Sequence, residues 1–201
     1  MGVAERRERE KQALRQEILT AARELFVKEG YENVSMRRIA EKIEYSPTTI
    51  YLYFHDKDEL LFEMCRETFT LLTRKLNKIF GVDGDPLEML AEGLKAYVQF
   101  GLKHPNHYYT TFMRPGGKCE GPGYEGSPGE EAFQKLLEGV AACVRAGKLR
   151  ETDVLTVSQS LWMTIHGITS LLITFDQDFP WVERDRLIAA TVGNALRGWA
   201  A

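Results

Sequence analysis

The 201-residue chain is expected to be all-α, with about nine helices forming an N-terminal helix-turn-helix region and a larger C-terminal helical domain. Three observations carry this. Apolar residues recur every three or four positions along most of the chain, the spacing of one buried helical face. Ser46–Pro47, Asp85–Pro86 and His104–Pro105 punctuate those runs where helices start or stop. No alternating pattern or internal repeat points to a sheet.

Taken in order, Leu14, Ile18, Ala21, Ala22 and Leu25 mark a first helix, closed by Gly30 as a C-terminal cap. Met36, Ile39, Ala40 and Ile43 form the buried stripe of a second, with Ser35 as its N-cap. A third begins at Ser46–Pro47, since a first helical position tolerates proline's missing N–H. A fourth helix spans about Asp56 to Phe80, and the VDGDP segment ends it. A fifth opens at Asp85–Pro86 and reaches Lys103, and a shorter one covers Asn106 to Met113. Arg114 to Gly129 holds six glycines and three prolines, so a mobile loop is expected there. Helices near 130–146, 153–175 and 183–199 complete the chain. Residues 1–60 are assigned to an N-terminal arm and helix-turn-helix, and 61–201 to the second domain.

The second and third helices meet across a three-residue turn, Glu44, Tyr45 and Ser46. On the third, Ile50 and Phe54 share the inner face. Thr48, Thr49 and Leu52 then point away from it, with Tyr51 and Tyr53 on the flanks. Such a face is short of charge for a merely solvated surface and suits a helix lying in a DNA groove. Hydroxyls bond phosphates or base edges, thymine methyls accept apolar contacts, and an arginine such as Arg37 can fork onto guanine. Lys57, just past the helix, suits a phosphate as a point charge. The pattern by itself also fits the corner of an ordinary helical bundle.

From about Ile18 to Leu61 the chain resembles the N-terminal domain of the tetracycline-repressor (TetR) family of bacterial regulators. The matching stretches are ILTAARELFVKEGYENVSMRRIAEKI and SPTTIYLYFHDKDELL, with Ala22, Phe26, Gly30, Tyr31, Ile39, Ala40, Ser46, Ile50, Tyr51, Phe54, Lys57 and Leu60 in the family's order. The resemblance implies a DNA-binding role for Ser35, Arg37, Pro47, Thr48, Thr49, Tyr51, Leu52, Tyr53 and Lys57. Tyr51 and Lys57 would hold phosphates, and Thr48, Thr49, Leu52 and Arg37 would read bases. Glu44 departs from the family's usual glycine. Either it keeps a left-handed backbone at about 1 kcal/mol, or the turn is reshaped.

Composition sets the remaining bounds. With 44% hydrophobic and 27% charged residues the chain is ordinary in globular terms, and no apolar run approaches the roughly 18 residues a membrane span needs. With a charged N-terminus and no apolar leader segment, the protein is expected to be cytoplasmic. Residues 1–60 carry 11 Lys/Arg against 12 Asp/Glu, so bulk charge does not argue for nucleic acid. Arg6, Arg7, Arg9, Lys11 and Arg15 form a local basic cluster that either reaches DNA or is a solvated terminus. Cys65, Cys119 and Cys143 are odd in number and widely spaced, which fits free thiols in a reducing compartment. His104 and His107 lack a third ligand nearby. No metal and no cofactor is expected.

The apolar stripes of the last two helices read as monomer core without the family and as a homodimer interface with it. Val154, Val157, Leu161, Ile165, Ile168, Leu172 and Phe175 line one side of the penultimate helix, and Leu155, Trp162, Leu171 and Ile173 widen it. Leu187, Ile188, Val192, Ala195, Leu196 and Trp199 line the last. The segments LWMTIHG and HPNHYYTTFM also resemble a C-terminal regulatory domain known for a Trp-His-Gly signature. That likeness implies a small-molecule effector held by Trp162 and His166, with Tyr108, Tyr109, Phe112 and Met113 closing the cavity. As plain packing the same residues would be hydrogen-bonded or aromatic core, and Gly167 would admit a close helix.

The resulting expectation is a ligand-responsive regulator, typically a repressor, that binds a near-palindromic double-stranded operator as a homodimer. The alternative is a helical small-molecule or protein-binding module without DNA recognition. An enzyme is not expected, because no Ser/His/Asp arrangement, phosphate-cradling glycine loop or metal-ligand spacing occurs.

Overall fold

The computed structural model describes residues 2–114, 127–150, 153–175 and 179–201. Its described elements are α1 (Val3–Glu29), a 3-10 turn (Tyr31–Asn33), α2 (Met36–Lys42), α3 (Pro47–Tyr51), α4 (Lys57–Phe80), α5 (Pro86–Lys103), α6 (Pro105–Tyr108), a π-helical turn (Tyr109–Met113), α7 (Pro128–Arg145), α8 (Val154–Thr174) and α9 (Arg184–Arg197). An isolated antiparallel bridge, Leu149 with Ala200, is the β pairing among the described residues.

Most helix starts follow one local chemistry, a side-chain oxygen accepting an otherwise orphaned backbone N–H. Ser35 caps α2 through Arg38 N at 3.1 Å, and Ser46 caps α3 through Thr49 N at 3.2 Å. Asp85 accepts from Leu87 N and Glu88 N, and Asp153 from Leu155 N and Thr156 N. Ser127 caps α7 through Glu130 N, with Pro128 at the first helical position. This helix therefore starts two residues before the expected one. Residues 115–126 of the expected loop lie outside the described residues. The short helix expected over Asn106–Met113 divides into α6 and the π turn.

The chain divides into two compact units, residues 1–68 with 106–122, and 69–105 with 123–201. In the first, α1 to α3 and the start of α4 close over Ile18, Ala22, Ile39, Ala40, Ile50, Leu60 and Met64, none of which is exposed. Burying such side chains contributes about 1.5–3 kcal/mol each. Arg15 bonds Glu63 and Arg23 bonds Glu67, each at 2.6 Å, bracing α1 against α4. Burial alone would raise the Glu63 carboxyl, but hydrogen bonds from Arg66 and Arg15 outweigh it and hold it below the usual range. The first ten residues of α1 are all exposed.

In the second unit α5 packs on α7, α8 and α9. The Phe80 ring enters between two glycines: a Cβ on Gly93 would fall 2.6 Å from it, and one on Gly139 3.3 Å. The close approach expected at Gly167 is not there, since a Cβ at that position meets nothing within 4 Å. Of the thiols expected to be free, Cys143 is free and buried, whereas Cys65 is disulfide-bonded. Among the described residues no helix is long and apolar enough to cross a membrane.

Candidate functional site

The helix-turn-helix presents α3 as a single short turn anchored by the buried Ile50. Glu44 sits in the turn with φ +60°, the left-handed conformation that favours glycine. Of the two expected alternatives, Glu44 thus takes the left-handed one and carries its strain. Thr48 is exposed, Leu52 is 78% exposed and Tyr51 55% exposed, so the outward face is apolar and hydroxyl-bearing. Tyr45, 44% exposed in the turn, extends that face and was not singled out from sequence. Thr49 Oγ1 lies 2.9 Å from Ser46 Oγ, so its hydroxyl is shared with the cap. Pro47 and Tyr53 are half-buried, and Ser35 uses its hydroxyl oxygen for capping.

The cations around this face are mostly engaged. Arg37 pairs with Glu41 at 3.1 Å, Arg38 with Glu29 at 2.9 Å and Lys42 with Glu24 at 2.9 Å. Exposed pairs of this kind contribute about 0–1 kcal/mol and yield readily to a phosphate. The hydrogen bond from Arg38 is the main reason that the Glu29 carboxyl lies below its ordinary value. Lys57 is not splayed outward: Nζ donates to the Tyr31 carbonyl at 2.7 Å and lies 4.1 Å from the centre of the Tyr31 ring.

The residues expected to contact an effector fall in both units. Trp162 and His166, one turn apart on α8, belong to the second. Trp162 Nε1 donates to Tyr97 Oη at 3.2 Å, and its ring meets Phe133 edge-on at 6.0 Å and His166 at 6.2 Å. Burial lowers the His166 pKa, which favours a neutral imidazole; the ring lies 3.4 Å from the Ser170 hydroxyl. Tyr108, Tyr109, Phe112 and Met113 belong to the first unit, where the π turn packs on α1. There Tyr108 is fully buried, its ring 4.9 Å from Phe112, while the other three are half-buried. His107 Nδ1 lies 3.1 Å from Thr68 Oγ1, and His104 stacks near Phe100 at 5.1 Å.

Residues 18–64 match the bacterial regulatory proteins of the tetR family, and residues 90–195 match the tetracyclin repressor-like C-terminal domain. The second match alone spans more than half of the chain. The chain belongs to the TetR family. An uncharacterized HTH-type transcriptional regulator of Haemophilus influenzae is 36% identical over 67 residues, 33% of this chain and 36% of that protein. PfmR, a TetR family transcriptional regulator from Thermus thermophilus, superposes with a TM-score of 0.74 at 22% identity, over 90% of this chain and 97% of the other. A TetR family regulator from Marinobacter aquaeolei gives 0.79 at 18% identity, over 96% and 98%. At these identities the structural likeness carries the fold alone. The chain spans less than half the length of the Haemophilus influenzae regulator and similar curated relatives, 36–49%.

Within this TetR chain the N-terminal match contains every residue singled out for DNA contact. The C-terminal match contains Trp162, His166 and Gly167 together with all of the Tyr108–Met113 segment. Tyr97 and Phe133 complete the Trp162 cluster and were missed in the sequence. Both sit in helical stripes that look like ordinary core, and only the 65-residue contact from Trp162 to Tyr97 reveals the grouping.

Proposed function

We propose that this protein is a cytoplasmic, non-enzymatic transcriptional regulator, a repressor in its usual mode, released from a near-palindromic operator by a small-molecule effector. The observation that carries the reading is the outward face of α3, where Thr48, Tyr51 and Leu52 stand exposed without a charged residue among them. A groove supplies what such a face needs: phosphate oxygens for hydroxyls, and thymine methyls for Leu52. Ser35, Arg37, Pro47, Thr49, Tyr53 and Lys57 complete the proposed contact set.

The proposed dimer forms through α8 and α9. Leu155, Met163, Leu171 and Phe175 are exposed apolar residues on and just past α8, and a two-fold pairing would cover them. Two recognition helices related in this way would enter successive major grooves about 34–36 Å apart. The proposed effector meets Trp162 and His166, whose aromatic wall and neutral imidazole suit a largely apolar ligand with a polar group to orient. Tyr109, Phe112 and Met113, with the buried Tyr108 holding their segment, are proposed as an effector-responsive segment within the first unit. Effector binding would act through differential affinity for two conformations, with typical couplings of about 1–3 kcal/mol.

A mobility shift on DNA upstream of the gene, repeated across salt concentrations, tests the reading. A specific, retained complex whose affinity falls steeply with salt is expected. No retention of any fragment in a genome-wide selection overturns it. Native mass spectrometry of the purified protein should find a bound small molecule that Trp162→Ala loses.

A further inference from the structure

Tyr31 stands at a crossing of charges within the first unit. It is buried to 9% exposure and its ring packs edge-on against Phe26 at 5.0 Å. Its hydroxyl donates to Asp58. Burial first, and then that hydrogen bond, push the hydroxyl pKa far above the ordinary value, so it stays a donor. Two cations share the ring: Lys57 Nζ at 4.1 Å from its centre, and the guanidinium carbon of Arg114 at 4.3 Å. Arg114 directly follows the π turn, and its buried Nε has no hydrogen-bond partner. The ring is therefore what holds this end of the guanidinium. Although the sequence places Arg114 at the start of a loop, the residue is docked.

We propose that Arg114 is a positioning residue for Lys57: by crowding the same ring, it weakens the hold of Tyr31 on the lysine and makes the ammonium available to a DNA phosphate. This rests on the regulator reading above. A ring's negative face rewards each cation that approaches it, but two like charges at one ring repel, so each lowers the other's gain. Lys57 has a second anchor in the Tyr31 carbonyl and cannot hold a phosphate while retracted onto both. Lys57 is withdrawn in this structure with Arg114 on the ring, so the competitor acts by making release onto a phosphate less costly, and displacement of the Tyr109–Arg114 segment makes that release costlier. The segment singled out for effector contact then controls a DNA contact through one side chain.

The test uses the full-length protein with Arg114→Gln, Arg114→Lys, Lys57→Gln and the Arg114→Gln/Lys57→Gln double variant. Arg114→Gln is expected to weaken operator binding by about three- to tenfold, and to make the salt dependence shallower by about one unit per subunit. Arg114→Lys should restore most of both. In the Lys57→Gln background Arg114→Gln should do nothing further, because its effect passes through the lysine. A DNA-free readout is the ring-current shift of the Lys57 ε-methylene in NMR, which should move further upfield in Arg114→Gln as the lysine settles on the ring. Losses that multiply in the double variant, or an unchanged methylene shift in Arg114→Gln, overturn the proposal. A wild-type protein that binds no DNA sinks the regulator reading instead, and the methylene shift still decides whether Arg114 governs Lys57.

Discussion

The outward faces of α3 and α8 both leave large apolar side chains in water, but they do so in different company. On α3 the apolar contribution is Leu52 and the Tyr51 ring, interleaved with hydroxyls and confined to one helical turn. On α8 it runs along the second half of the helix as Met163, Leu171 and Phe175, which fall within about 120° of one another. A face that mixes hydroxyls with apolar groups can be covered by something wet and charged, while a long apolar face needs another apolar face. The two helices thus ask for different partners, although both would look like errors in an isolated monomer.

Four substitutions break or sharpen that contrast. The largest effect is expected from Met163→Glu, because an unpaired carboxylate in an apolar interface should weaken self-association by roughly 100-fold or more. Analytical ultracentrifugation reads this directly, and an unchanged dimer removes α8 from the interface. Leu52→Glu comes next: operator affinity should fall roughly 10- to 100-fold through phosphate repulsion and lost contact. Its sedimentation should be unchanged, so any loss of self-association in that variant blurs the distinction between the two faces. Gly93→Ala touches neither face. It should cost about 1–3 kcal/mol of stability in chemical denaturation, since the added methyl meets the Phe80 ring. The smallest effect belongs to Glu44→Gly, which relieves the left-handed turn and should stabilise the protein by about 0.5–1 kcal/mol. Its operator preference should stay as it was, because Glu44 shapes the turn without belonging to the reading face.

Much of this was legible in the chain because helix signals are local. Ser35, Ser46–Pro47 and Asp85–Pro86 each cap a helix through contacts two or three residues away, and the stripe Met36, Ile39, Ala40 is buried as its spacing requires. The start of α7 carries the same Ser-Pro signal at Ser127–Pro128, which the surrounding glycines obscured. The π turn was not legible, because Tyr109–Met113 satisfies helical spacing whether or not the backbone is wound more widely. Gly167 was expected to admit a neighbour, yet Gly93 and Gly139 do so. Which glycine faces a ring depends on where Phe80 arrives, and no local pattern encodes that. The candidate site divided in the same way. Thr48 and Leu52 could be placed outward from helical geometry, whereas Thr49, expected beside them, is half-buried with its hydroxyl on the cap, and Tyr51, expected on the flank, is exposed. The withdrawal of Lys57 onto Tyr31 joins residues 26 apart and needed the fold.

The seat of Phe80 has one more consequence. With hydrogens in place of side chains at Gly93 and Gly139, the aromatic ring comes close to the main chain of α5 and of α7 at these two points. Side chains can switch rotamer to make way for a neighbour, and main chain cannot. The last turn of α4 is therefore keyed to α5 and α7 like a peg in a rigid socket, and these three pieces of the second unit travel together or come apart together.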